Sequence, residues 1–350
     1  MAGPHPAVAA IRLAVRGVLA GLPPGGLVVA ACSGGADSLA LAAALAFEGP
    51  RRELRSGGVT VDHGLQPGSA EQAGRVTAVL AELGLDPVHA VRVTVARPGG
   101  SHAYPGPEAA ARAARYAALD QLGRDSVELE PAAILLGHTL DDQAETVLLG
   151  LARGSGARAL AGMAPASGRY LRPLLGIRRA QTRAACAALG LTPWEDPHNS
   201  DLAYARVRVR RALLPALEEQ LGPGVAEALA RTAGQLRADA DVLDELAATA
   251  FERIADGQPG LPAGALAAQP PAIRSRLLRR AALAAGSPAG ALTQQHVTQM
   301  DALVTGWHGQ RGVDLPGGVR CQRRYDRLLF AVAGRRNCAP GAIGELSGRD

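Results

Sequence analysis

Six consecutive residues, Ser33-Gly34-Gly35-Ala36-Asp37-Ser38, lie between an apolar run, Leu27 to Ala31, and an Ala- and Leu-rich run, Ser38 to Phe47. With a strand before it and a helix after it, a Ser-Gly-Gly turn brings backbone N–H groups close to its occupant. The helix aims its positive end at the same point, so the turn is built for an anion such as phosphate. An ordinary tight strand-to-helix turn would use the same glycines. Asp37 argues for more, since an acid beside a phosphate nest makes sense when a metal ion bridges the two. A Walker-type loop is excluded, because it needs Gly-Lys-Ser/Thr and the chain contains no lysine.

Further acids follow strand-like runs. Asp62 ends Gly57 to Asp62, and the pair Asp141-Asp142 follows Ala132 to Gly137, with Glu145 one turn later on the same side. Capping a helix would explain one of these aspartates. Two, with a glutamate, exceed what a cap needs and suit a metal or an amine. Glu108, Arg112 and Arg115 share a helical face, where either a surface Glu–Arg pair or an arginine reaching a phosphate would fit. Arg206, Arg208 and Arg210 recur with period two. That spacing does not give one helix face, so part of this stretch is expected to lie extended against a partner.

The elements that must position these residues alternate. Strands are expected at Leu27 to Ala31, Gly57 to Asp62, Val88 to Val95 and Ala132 to Gly137. Helices are expected at Ser38 to Phe47, Ala70 to Leu83, Glu108 to Leu122 and Asp141 to Leu151. This order predicts βαβ units and an α/β, doubly wound parallel sheet. Ligands of such sheets bind beyond the carboxyl ends of the strands, where Asp37, Asp62, Asp141 and Asp142 should converge. Farther on, Val225 to Asp256, Ile273 to Ala285 and Thr293 to Thr305 read as helices, Gly257 to Pro271 as a turn-rich connector, and Val313 to Val332 as a hairpin turning at Pro-Gly-Gly.

Composition narrows the function classes. No apolar run approaches the ~18 residues of a membrane helix, and the start of the chain reads as an amphipathic helix, not a signal peptide. Cys32, Cys186, Cys321 and Cys338 are far apart with no CxxC, which suggests neither a disulfide framework nor a zinc site and points to the cytoplasm. Net charge is +5, distributed as −4 over residues 1–150, +8 over 151–215 and +1 over 216–350. The central segment is an electrostatic footprint for a polyanion.

The loop Ser33 to Ser38 matches SGGxDS, the pyrophosphate-binding loop of the PP-loop ATP pyrophosphatases. Gly137-His138-Thr139-Leu140-Asp141-Asp142-Gln143-Ala144-Glu145-Thr146, continuing through Arg153-Gly154-Ser155-Gly156 to Gly162-Met163, resembles the GHHxDDQAETxLLxxxRGSGxxGLxGM signature of the tRNA(Ile)-lysidine synthases. Arg172-Pro173-Leu174-Leu175 and the block from Trp194-Glu195-Asp196-Pro197-His198-Asn199-Ser200-Asp201 to Arg211 resemble further family motifs. Thr139 replaces the family's second His, Val207 an Asn and Val209 an Ile.

The resemblance implies an enzyme that uses ATP to adenylate carbon 2 of the wobble cytidine in the CAU-anticodon isoleucine tRNA and then joins L-lysine there. The product, lysidine, shifts codon reading from AUG to AUA. It implies that Ser33, Gly34, Gly35, Ala36, Asp37 and Ser38 hold the phosphates, with Mg²⁺ on Asp37 and Asp141. It assigns catalysis to Asp37, Arg112, Asp141, Asp142 and Arg206, and contacts to lysine or tRNA to Glu145, Arg172 and Arg208. The competing readings are an RNA thiolase of the same fold, which would need reactive or cluster-binding cysteines, and a non-catalytic nucleotide or RNA binder. The expected division is a catalytic domain over 1–215, with its basic tRNA-contacting segment at 151–215, a mainly helical recognition domain over 216–334, and a disordered tail over 335–350. Partners are the tRNA and free lysine without a membrane; a homodimer is an open alternative.

Overall fold

The structure, a computed structural model, describes residues 3–64, 68–94, 107–123, 130–154, 156–196 and 201–332. The expected tail 335–350, residues 95–106 and residues 197–200 of the Trp194 block lie outside the described residues. The chain divides into two compact units, one of residues 1–149 with 162–232 and the other of 150–161 with the residues from 233 on.

The first unit opens with α1 (Pro6–Leu19), then runs β1 (Leu27–Ala31), α2 (Ala36–Glu48), β2 (Arg55–Asp62), α3 (Ser69–Glu82), β3 (Val88–Arg92), α4 (Pro107–Gln121), β4 (Ala133–Leu136) and α5 (Leu140–Ala152). The short α6 (Ala157–Leu160) belongs to the second unit; the first resumes with two brief strands, β5 (Ala166–Ser167) and β6 (Tyr170–Leu171), then α7 (Arg179–Ala188), α8 (Ala205–Arg208) and α9 (Leu214–Leu221). The sheet order is β3-β2-β1-β4-β6-β5, parallel throughout except for β5 against β6. The doubly wound parallel sheet expected from the alternation is therefore present, with an antiparallel edge added.

Strand alternation builds both layers. Val28, Ala30 and Leu135 pack with Ile11 and Val15 of α1, Leu41 and Leu45 of α2, and Ala185 and Cys186 of α7. Leu27, Val29 and Ile134 face the other way, onto Leu119 and Tyr116 of α4. Strands buried on both faces read as unbroken apolar runs, which explains why β1 and β4 carry no polar residue. Glu48, 2% exposed at the end of α2, is held by two 2.9 Å bonds from Arg16 of α1, which fixes the outer helices to each other.

The second unit has its own core. From α10 (Val225–Ile254) come Ala247, Ala250, Phe251 and Ile254; they meet Leu277 and Leu278 of α12 (Pro271–Ala284) and Met300 and Leu303 of α13 (Gln294–Thr305). The expected connector after α10 contains β7 (Leu261–Pro262) and α11 (Ala263–Ala267). The expected hairpin is three strands, β8 (Val313–Leu315), β9 (Val319–Arg324) and β10 (Arg327–Val332), in the antiparallel order β7-β10-β9-β8. Leu277→Ala, at a site 0% exposed, should cost about 2–5 kcal/mol. Hydrogen exchange should then quicken first in α12, α13 and β8–β10 while β1, β2 and β4 stay protected. Uniform loss of protection would contradict two separate cores.

Candidate active site

The phosphate loop is set by its backbone. Gly34 has φ +84, and a Cβ there would lie 2.8 Å from Val76 Cγ2, so only glycine fits both the turn and the space. Ser38 locks the turn, accepting from Ser33 N–H at 3.2 Å and donating to Gly35 O at 3.0 Å. Trp194 N–H donates to Gly34 O at 2.9 Å, so the Trp194 block clasps the loop from outside. No side chain caps the start of α2 at Gly35, and its first N–H groups face the loop.

Two glycines bring the second motif to the first. Gly137 ends β4 so close to α2 that a Cβ would lie 3.1 Å from Ser38 Cα and 3.2 Å from the carbonyl carbon of Asp37. The chain then enters α5, whose cap is reciprocal. Asp142 Oδ2 accepts from Thr139 N–H at 2.8 Å and from its hydroxyl at 3.0 Å, while Asp142 N–H donates back at 3.4 Å. Thr139 thus has a structural role at the position where the family's second His is replaced. Gly162, at φ +63, lets Gln143 bracket Met163 through 3.0 and 2.7 Å bonds.

The cluster closes on a residue the motifs do not single out. Arg179, first in α7, donates to Asp142 Oδ1 at 2.7 Å, to Glu145 Oε1 at 3.3 and 3.4 Å and to Asp37 Oδ2 at 3.5 Å. Its backbone N–H donates to Asp141 Oδ2 at 2.7 Å. Thr182, one turn on, donates its hydroxyl to Asp37 Oδ1. Glu145 is 0% exposed and also accepts from Arg210 Nε at 2.7 Å and Nη2 at 3.0 Å, with Arg206 Nε 3.7 Å away.

The expected extended arginine stretch is helical instead. Arg206 in α8 and Arg210 in the widened π turn that follows are four residues apart, which puts both beside Glu145. Arg208 turns away and donates to Leu202 O at 2.8 Å and Ala203 O at 2.7 Å, closing its own loop. Period two was a misleading guide because only the outer pair shares a face.

Asp141 and Asp142 also part company. Asp141 caps α7 and lies 3.5 Å from Arg178, which reaches Glu227 at 3.3 Å and Glu218 at 3.8 Å. Asp142 lies near enough to Asp37 for its charge to raise the Asp37 carboxyl. Of the two, Asp142 is the one whose charge acts on Asp37, while Asp141 turns to the start of α7. Among the described residues no three His, Cys, Asp or Glu side chains gather to hold a metal alone. Two carboxylates with the remaining positions filled by phosphate and water is the set Mg²⁺ prefers.

Burial lifts the Asp37 carboxyl above its ordinary range, against the Thr182 bond and the Arg179 charge. Burial acts on Asp142 in the same direction, but Arg179, the Thr139 N–H and Arg210 outweigh it and leave Asp142 below its ordinary range. Neighbouring environments thus push two acids of one site apart. Apart from these acids, Arg172 donates to Tyr116 Oη at 3.2 Å, and Arg112 donates to the same atom at 3.3 Å and stacks on the ring at 4.9 Å. His138 stands near these arginines, and burial pushes it down to about 4. Asp62, below its ordinary range through the Gly64 N–H bond, lies at the end of β2 outside the Arg179 cluster. The side chain of Glu108 lies outside the described residues.

Sequence reading missed Arg178, Arg179 and Thr182 and gave Arg210 no role. A signal existed. Two arginines at the start of a helix oppose its dipole, so acids from elsewhere must meet them.

This arrangement of phosphate loop, crevice acids and sheet agrees with the comparisons. Residues 18–217 match the family model of the PP-loop domain, and residues 261–329 match the TilS substrate binding domain. The U34-tRNA thiolase NcsA from Methanococcus maripaludis, solved with its 4Fe–4S cluster, superposes with TM-score 0.53 at 20% identity, over 66% of this chain and 79% of that one, which establishes likeness of fold. The tRNA(Ile)-lysidine synthase of Thermobifida fusca is 59% identical over 95% of this chain and 100% of its own length. That of Streptomyces coelicolor is 54% identical over 94% and 99%, and that of Mycobacterium bovis 48% over 87% and 87%. The chain is thus a PP-loop protein, of a class that uses ATP. Within that class it belongs to the tRNA(Ile)-lysidine synthase family.

Arg179→Met should destabilise the first unit by about 3–5 kcal/mol, because buried acids lose their shared counter-ion. Without the cation, burial pushes the folded-state pKa values of Asp37 and Asp142 above their unfolded values. Raised acids cost stability as pH rises, so the loss should be larger at pH 8 than at pH 5 in denaturant titrations. An equal loss at both would contradict the assignment.

Proposed function

We propose that the chain forms lysidine on the CAU-anticodon isoleucine tRNA, consuming ATP and L-lysine in the cytoplasm. The observation that carries this reading is the cluster in which Arg179 joins Asp37 of the phosphate loop to Asp142 and Glu145 of the second motif. Capping α5 accounts for one carboxylate oxygen of Asp142, but neither its other oxygen, turned to Arg179, nor the buried Glu145 is needed by a nucleotide-binding loop alone. No helix among the described residues is long and apolar enough to cross a membrane.

The Ser33–Ser38 loop and the start of α2 hold the β and γ phosphates. Arg112 and Arg172, gathered at Tyr116, are assigned to the α-phosphate and the wobble nucleotide. The cytidine carbon 2 oxygen attacks the α-phosphorus, the bond to the β-phosphate oxygen breaks, and pyrophosphate leaves. Asp37 and Asp142 would hold Mg²⁺, which offsets phosphate charge when bound. Lysine's amine then attacks carbon 2, the C–O bond breaks, AMP departs and the amine loses a proton. Glu145 is assigned to lysine's attacking amine, which is neutral when it acts as nucleophile, as the acceptor for its N–H. Arg206 and Arg210 pair with Glu145 in its buried position. With no side-chain nucleophile, rate comes from positioning and charge. The division of labour, with chemistry in 1–215 and recognition in 216–334, belongs to the same proposal.

Asp37→Asn, in the full chain, should lower tRNA-dependent pyrophosphate release by roughly 10²-fold or more and leave tRNA affinity within about twofold. Incorporation of labelled lysine into the CAU-anticodon transcript is the companion assay. Pyrophosphate release that needs a sulfur donor instead of lysine would overturn the proposal, as would a fully active variant.

A further inference from the structure

The turn between β9 and β10 breaks the usual rule for its type. Arg324 pairs with Arg327, so the loop has two residues, Tyr325 and Asp326. Its first position has φ +54, where Gly, Asn or Asp is the usual occupant of a tight hairpin. Tyr325 stands there with 91% of its surface exposed. A lone exposed aromatic is unremarkable in a soluble protein. One that also holds a left-handed backbone gains nothing from its place in the fold, and such conflicts mark functional positions.

The loop is held firmly beneath the ring. Asp326 O accepts from Ala263 N–H at 2.5 Å, and Tyr325 O accepts from Arg323 Nε at 3.2 Å. Arg323 is itself anchored, donating to Leu303 O at 3.0 Å and Val304 O at 3.1 Å and stacking on Trp307 at 4.8 Å. The ring is therefore presented at the tip of a fixed backbone, with exposed Arg324 beside it. From Val319 to Val332 the chain has four arginines and one acid. Arginine beside a rigid exposed aromatic suits a polyanion whose units carry flat π-faces.

We propose that Tyr325 stacks on an unpaired base of the tRNA, with Arg324 meeting the flanking phosphate. The inference rests on the proposed action on tRNA and adds a base-stacking contact at this hairpin tip. Stacking needs a π-face, so it is separable from apolar or charge contacts by substitution.

The test measures affinity of the full chain for the CAU-anticodon isoleucine transcript by fluorescence anisotropy, with KM values for tRNA, ATP and lysine. Tyr325→Ala should weaken tRNA binding by about 5- to 150-fold and raise the tRNA KM in parallel, leaving those for ATP and lysine unchanged. Tyr325→Phe and Tyr325→Trp should restore affinity to within about threefold; Tyr325→Leu should not. Tyr325→Gly suits the backbone, so it should bind as poorly as Tyr325→Ala with no loss of melting temperature. Tyr325→Ala or Tyr325→Leu binding like the unaltered chain would overturn the inference alone. An unaltered chain that fails to bind the transcript would overturn the function on which it rests.

Discussion

One guanidinium group organises the crevice. Arg179 touches Asp37, Asp142 and Glu145 with its side chain and Asp141 with its backbone, and these acids come from α2 and α5 while the arginine comes from α7. Like charges do not share a small buried space without a cation between them. The strand ends could bring the loops near each other, but without Arg179 the acids would repel one another or take up protons. The arginine's own charge is reinforced in return: burial works against it, and Asp142, Glu145, Asp37 and Asp141 outweigh that cost.

The fold supplies this meeting through close backbone approach. Gly137 seats the end of β4 on the first turn of α2, and α7 packs on α1 and α2 through Ala185 and Cys186, with the Cys186 thiol donating to Ala36 O at 3.3 Å. The basic residues then divide into two groups. Arg179, Arg206 and Arg210 neutralise acids, whereas Arg112 and Arg172 converge on Tyr116. An excess of positive charge along the sequence therefore does not translate wholly into a surface for RNA, since part of it is spent inside the site.

Much of this was legible from residue patterns. The strands β1, β2 and β4 lie within two residues of their expected bounds, because apolar runs followed by Gly or Asp mark parallel strands and their exits. The approach of the phosphate loop to the second motif was readable too, since residues that follow the ends of adjacent parallel strands come together at one edge of the sheet. Helix α7 was not legible. Its buried face is Thr182, Ala185 and Cys186, too weakly apolar to give a period, and it begins with Arg178 where a Ser, Thr, Asp or Asn would announce a start. The turn at Tyr325-Asp326 was hidden for the same kind of reason, lacking the residue its backbone prefers. The arginine period misled because spacing within a helix that widens to a π turn follows no simple repeat.

The account stands on Arg179 and Glu145 acting as one interacting pair within a shared network, and a double-mutant cycle measures that directly. Denaturant unfolding of the full chain, Arg179→Met, Glu145→Gln and the double variant should give a coupling of about 1–3 kcal/mol, with the double variant less destabilised than the two single losses combined. Losses that add to within about 0.5 kcal/mol would show that the two residues do not depend on each other, and the arginine-centred site would have to be abandoned.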